Sequence, residues 1–82
     1  MKTVTYTAAA ATALRRHANR ASAIRAKIEQ YAAEPASQAN NVKALKGVDA
    51  KRLRVGTFRV IFQETATTVV VLDIGPRGGI YD

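Results

Sequence analysis

At 82 residues the chain is long enough for one domain with a modest core, and it has no cysteine, which excludes disulfide staples and thiolate zinc sites. Hydrophobic residues make up 48% but aromatics only 6%, so alanine supplies much of the apolar content. The formal net charge of +7 points to a polyanionic partner, nucleic acid or an acidic protein, with a merely soluble basic surface as the plain alternative.

The amino terminus carries no targeting signal. Met1-Lys2 is followed by VTYT, too short and too polar for the core of a signal peptide, and no apolar run approaches the roughly 20 residues of a membrane helix. A cytoplasmic protein without membrane attachment is expected. Lys2 to Tyr6 alternates with β-branched residues and reads as a short first strand. Thr7 is placed to cap a helix through its hydroxyl, and Ala8 to Ala18 is an alanine-rich helix interrupted near Asn19. In the second helix, Ala21 to Ala33, Ile24, Ile28 and Tyr31 recur at i, i+4 and i+7 and share one face. Arg25 and Glu29 are four apart and can pair on its surface. Glu34-Pro35 stops it, because the residue before proline disfavours helical geometry. Ala36 to Asn41 reads as a loop, and Val42 to Lys46 as a turn or short strand leading to Gly47.

The most informative stretch is Leu45 to Phe62, LKGVDAKRLRVGTFRVIF. From Lys43 to Arg59 there are six basic residues against the single acid Asp49. Leu53 and Val55 point to one side of a strand, Arg52 and Arg54 to the other. Gly56-Thr57 is the turn, after which Phe58, Val60 and Phe62 continue the apolar face and Arg59 the basic one. Thr65 to Thr68 is a polar turn, and Val69 to Ile74 is a strand with Val70, Leu72 and Ile74 on one face and Val69, Val71 and Asp73 on the other. Gly75-Pro76 breaks it. The core is expected around Leu14, Ile24, Ile28, Tyr31, Leu45, Leu53, Phe58, Val60, Phe62, Val70, Leu72 and Ile74.

The order βαα then βββ indicates one α+β domain spanning residues 1–82, with an N-terminal strand and a helical hairpin packed on one face of a four-stranded antiparallel sheet. The other face is open and basic.

Few residues offer chemistry by their spacing. His17 is the sole histidine and reads as a solvated helix residue, so no metal is expected. Ser22 and Ser37 lie in no nucleophile motif, GPRGG lacks the pattern of a phosphate-binding loop, and no cofactor is indicated. What remains is a cluster of Lys51, Arg52, Arg54, Arg59, Arg77 and Tyr81, with Lys46 nearby. Guanidinium groups grip phosphate in a bidentate fork, a tyrosine can stack an unpaired base, and a lysine crowded by arginines has its charged form disfavoured. Such a face suits RNA, whether it performs chemistry or binds RNA or an acidic peptide without any.

The pattern LKG…KRLRVGTFRVIF, followed by a valine-rich strand and IGPRGGIY, resembles the RelE/ParE superfamily of toxins from type II toxin–antitoxin systems. The match runs from about Val42 to Tyr81, and the βαα start fits the rest of that fold. The resemblance implies a toxin silenced by a cognate antitoxin in a hetero-oligomer. For RelE-type members it implies a ribosome-dependent endoribonuclease that cuts mRNA without metal, the ribose 2′-hydroxyl attacking the adjacent phosphate. It assigns Arg59 to the scissile phosphate, Arg77 to phosphate stabilisation or protonation of the leaving 5′-oxygen, and Tyr81 to stacking at the cut. It places Lys51, Arg52 and Arg54 on the basic strand where RelE-type toxins use lysines as base and electrostatic support; Lys46, Arg52 and Arg54 are the residues expected to bind RNA. Three departures stand out. The basic strand is mostly arginine, a poor base; Lys51 shares the parity of Leu53; and Pro76 stands where many relatives have a histidine or basic residue. ParE-type toxins share the fold but inhibit DNA gyrase, and an inert basic RNA- or protein-binding domain is the third alternative.

Overall fold

A computed structural model describes residues 1–76. The elements in chain order are β1 (Thr3–Tyr6), α1 (Ala8–Arg16), α2 (Ala18–Ala33), a 3-10 segment (Pro35–Asn41), β2 (Val42–Ala44), β3 (Lys51–Val55), β4 (Phe58–Glu64) and β5 (Thr68–Pro76).

Thr7 caps α1 as its position requires. Its backbone is extended, with φ −70° and ψ 167°, and its Oγ1 accepts the Ala10 amide at 3.2 Å. The same hydroxyl donates to the Leu72 carbonyl oxygen at 2.6 Å, so one side chain both starts the helix and ties it to β5. The break between helices falls at His17 (φ −113°, ψ 49°) and not at Asn19. The His17 ring packs edge-on against Phe58 with centroids 4.8 Å apart. That tertiary contact fixes the corner, and it makes His17 a half-buried junction residue, not a solvated one. In α2, Ile24, Ile28, Tyr31 and Ala32 are buried, as the helical spacing dictates. Arg25 stands with its guanidinium carbon 5.6 Å from the centroid of the Tyr6 ring, a cation–π contact that ties α2 to β1. The stretch expected as a loop is instead pinned. Buried Gln38 donates to Gln30 Oε1 at 3.0 Å and accepts from Asn41 Nδ2 at 3.1 Å.

The five strands form one mixed sheet in the order β1-β5-β4-β3-β2. The β2–β3, β3–β4 and β4–β5 pairs are antiparallel hairpin neighbours, as the turn residues indicate. Gly56 turns the β3–β4 hairpin at φ +58°, a left-handed conformation that suits glycine. β1 joins as a fifth, edge strand running parallel to β5, with Tyr6 opposite Val71. No local turn specifies that pairing, because both helices, the 3-10 segment and β2–β4 all lie between the two strands in the chain.

β5 corrects the expected face assignment. Ile61 pairs with Asp73 but Phe62 pairs with Val71, so Leu72 is an extra residue in a β-bulge. The bulge flips the alternation: Val69 and Val71 are buried under the helices together with Ile74, whereas Val70 and Leu72 are only half-buried. Phe62, Ile24, Ile28, Leu53, Val60, Val69 and Val71 are the large, fully buried side chains of the helix-covered core. Leu45 and Phe58 are half-buried at its margin. Among the described residues no helix is long and apolar enough to cross a membrane.

Candidate nucleic-acid interface

Residues paired directly across an antiparallel sheet share a face, so the register assigns the basic side chains. One row across the face turned away from the helices is Lys43, Arg52, Ile61 and Asp73, with Ile61 fully buried; the next is Arg54, Arg59 and Gly75. The expected gathering of Arg52, Arg54 and Arg59 on one face is therefore present, and β2 adds Lys43 opposite Arg52. Arg54 is exposed, while Arg52 and Arg59 are half-buried. A polar cleft of about 420 Å³ opens at the β2 side of this face, lined by Asn40, Asn41, Val42, Lys43, Arg52 and Arg54. The Arg52 Nε is buried and has no hydrogen-bond partner among the described residues. A buried donor without an acceptor costs about 1–3 kcal/mol. Gln38 holds Asn41 in place beside the cleft, so its wall is anchored to α2.

The other sequence-assigned residues separate. Lys46 is exposed in the β2–β3 connection, closed by a Leu45 amide to Ala50 oxygen hydrogen bond of 3.0 Å. Lys51 lies on the helix-covered side, in the row of Ala44, Phe62 and Val71. Its Nζ donates to Glu64 Oε1 at 3.0 Å. Glu64 also takes Lys2 Nζ at 2.5 Å on Oε2 and the Tyr31 hydroxyl at 2.5 Å on Oε1. Partial burial works against the Glu64 charge, but the hydrogen bonds from Lys2, Tyr31 and Lys51 outweigh it and hold the carboxyl down at about 2. The bond to Glu64 in turn pushes the Lys51 ammonium upward, against a smaller opposing effect of burial. That is the reverse of the crowding by arginines expected to prepare it for proton abstraction. Arg77 and Tyr81 lie outside the described residues; Arg77 directly follows Pro76, the last residue of β5.

Sequence reading missed four contributors. Lys43 could have been placed by extending the hairpin register of β3 through the Leu45–Ala50 turn. Asn40 and Asn41 carry no signal until the 3-10 segment sets them beside Lys43. Asp73 brings a carboxylate to the same face, its Oδ1 accepting the Ile74 amide at 2.8 Å. Among the described residues no group of three or more His, Cys, Asp or Glu side chains is arranged to hold a metal ion.

The fold matches a chain in the crystal structure of the toxin–antitoxin complex RelBE2 from Mycobacterium tuberculosis, with a TM-score of 0.67 and 27% sequence identity over 93% of this chain and 98% of that one. No curated protein matches the chain. The family model described as ParE toxin of type II toxin–antitoxin system, parDE, matches residues 4–81. The helices over a five-stranded sheet, the arginine face and this nearly full-length match make the chain a member of the ParE toxin family, within the RelE/ParE superfamily of type II toxins.

Proposed function

We propose that this toxin acts as a RelE-like, ribosome-dependent endoribonuclease whose arginine face holds mRNA. The observation that supports it most is the juxtaposition of Arg54 and Arg59 on the sheet face turned away from the helices, beside the polar cleft lined by Lys43, Arg52 and Arg54. In this reading Arg59 grips the scissile phosphate and stabilises the charge that builds as the ribose 2′-oxygen attacks phosphorus. The phosphorus–5′-oxygen bond breaks, and the proton lost by the 2′-hydroxyl is matched by one delivered to the 5′-oxygen. Arg77 and Tyr81 serve the leaving group and the stacked base. Lys51 is a structural residue held by Glu64 and takes no part in proton transfer.

A second reading follows from a specific observation. With Lys51 on the covered face, β3 presents only Arg52 and Arg54 to the uncovered one, and arginine remains charged at any useful pH. A face that binds an acidic surface without transferring protons fits a ParE-like inhibitor of DNA gyrase. In either reading a cognate antitoxin accompanies the toxin, as in the RelBE2 complex, and the charge of the face calls for an acidic segment to cover it.

The test is growth arrest in cells expressing the chain with and without its antitoxin. Arg59→Ala, Arg77→Ala and Tyr81→Ala should each relieve arrest at equal expression and with unchanged thermal unfolding. Full arrest with all three variants would remove the endoribonuclease assignment.

A further inference from the structure

β5 outruns its neighbour. β1 ends at Tyr6 opposite Val71, and β5 continues to Pro76. Beyond that point α1 leaves over the sheet and a groove of about 470 Å³ opens between them, within the size range of small-ligand sites. Ala8, Thr12 and Arg16 line it at i, i+4 and i+8 of α1, and Ala9, Ala13 and His17 at the same spacing. The alanines keep the wall low, and the charge is concentrated at its Arg16–His17 end. On β5 the lining residues are Asp73, Ile74, Gly75 and Pro76. Asp73 ends the row of Lys43, Arg52 and Ile61, and Gly75 ends the row of Arg54 and Arg59. The groove therefore begins where both basic rows stop.

We propose that this groove is a nucleotide subsite that receives the RNA strand as it leaves the arginine face. Arg16 contacts a backbone phosphate, and the His17 ring, held edge-on by Phe58, offers a surface for a base to stack on. Asp73 would repel phosphate, so its carboxylate instead accepts from the amino group of a base. The inference deepens the RNA reading and rests on it. It also extends the interface to α1, which the sequence presents as scaffold.

The test is equilibrium binding of the whole chain, without ribosomes, to a fluorescent single-stranded oligoribonucleotide of about eight nucleotides, followed against salt concentration. The variants are Arg16→Gln and Ala9→Phe, both at exposed positions, with Arg54→Gln as the control for the arginine face. Arg16→Gln should weaken binding roughly three- to tenfold and flatten the log–log salt dependence by about 0.7, as expected when one phosphate of a single strand is no longer neutralised. Ala9→Phe should weaken binding by obstruction while leaving that slope unchanged. If Arg54→Gln weakens binding but both groove variants match wild type, the groove inference falls and the arginine face stands. If only the groove variants weaken it, the strand does not reach the groove from the arginine face, and the inference as stated falls. Absence of any RNA binding by wild type overturns the groove inference, and the ribosome-dependent cleavage reading is then decided separately by mapping mRNA 5′ ends in translation.

Discussion

Arg54 and Arg59 stand directly opposite one another on β3 and β4, on the sheet face that carries no helix. Like charges directly opposite one another weaken a sheet, and Arg54, the exposed member of the pair, is the one placed to meet a ligand. Arg54→Ala should accordingly leave thermal stability unchanged or slightly raised while it weakens RNA binding. The salt dependence of that binding should flatten by about 0.7 for each phosphate that Arg54 neutralises. A fall in stability together with unchanged RNA binding would assign the pair to structure.

Lys51 answers to the opposite prediction. Its partner Glu64 gathers Lys2 from the chain start, Tyr31 from α2 and Lys51 from β3 around one carboxylate. Lys51→Met should lower the melting temperature by a few degrees, since about 1 kcal/mol corresponds to roughly 4–8 °C in a domain this small. Toxicity at equal expression should persist. Loss of mRNA cleavage with full stability would restore Lys51 as the base.

The same cluster sets the acid limit of the fold. The Glu64 carboxyl is held at about 2 when folded, against an ordinary value of 4.5. A depressed carboxyl contributes its stability above the ordinary value and loses it as pH falls through the folded one. Stability should decline between about pH 4.5 and pH 2, and Glu64→Gln should flatten that window while lowering stability at neutral pH. Lys51, raised above its ordinary value of 10.5, contributes up to that pH and loses its share only above it. Urea unfolding midpoints across the acid range measure the effect.

Thr7 joins two elements through one hydroxyl, accepting from Ala10 and donating to Leu72. Thr7→Ala should cost about 1–2 kcal/mol, the combined loss of a helix cap and a hydrogen bond. Thr7→Ser should restore most of it in thermal unfolding, because the serine hydroxyl can make both bonds.

These residues also show how far the fold can be read from the sequence. The capping hydroxyl, the apolar stripe of α2 and the Arg52–Arg54–Arg59 face are local patterns, and each is present as its periodicity implies. The parallel pairing of β1 with β5 depends on a crossover that no short stretch encodes. The bulge at Leu72 defeats simple alternation, since one inserted residue exchanges the faces of Val69 and Val71 with those of Val70 and Leu72. Parity correctly turns Lys51 toward the helices, but its partner Glu64 is thirteen residues further along the chain, so the direction of its pKa shift is visible only after folding. For the same reason the Arg16–His17 groove emerges only when separate elements meet, whereas Lys43 could be reached by extending the β3 hairpin register.

The most direct measurement is a cell-free translation reaction in which mRNA 5′ ends are mapped by primer extension. Wild type and Arg59→Ala are run side by side, with gyrase supercoiling followed in parallel. New 5′ ends within translated codons for wild type, absent with Arg59→Ala, and unimpaired gyrase are the predicted result. Intact mRNA with gyrase inhibited would contradict the endoribonuclease account and place the toxin on the gyrase-inhibiting branch of its family.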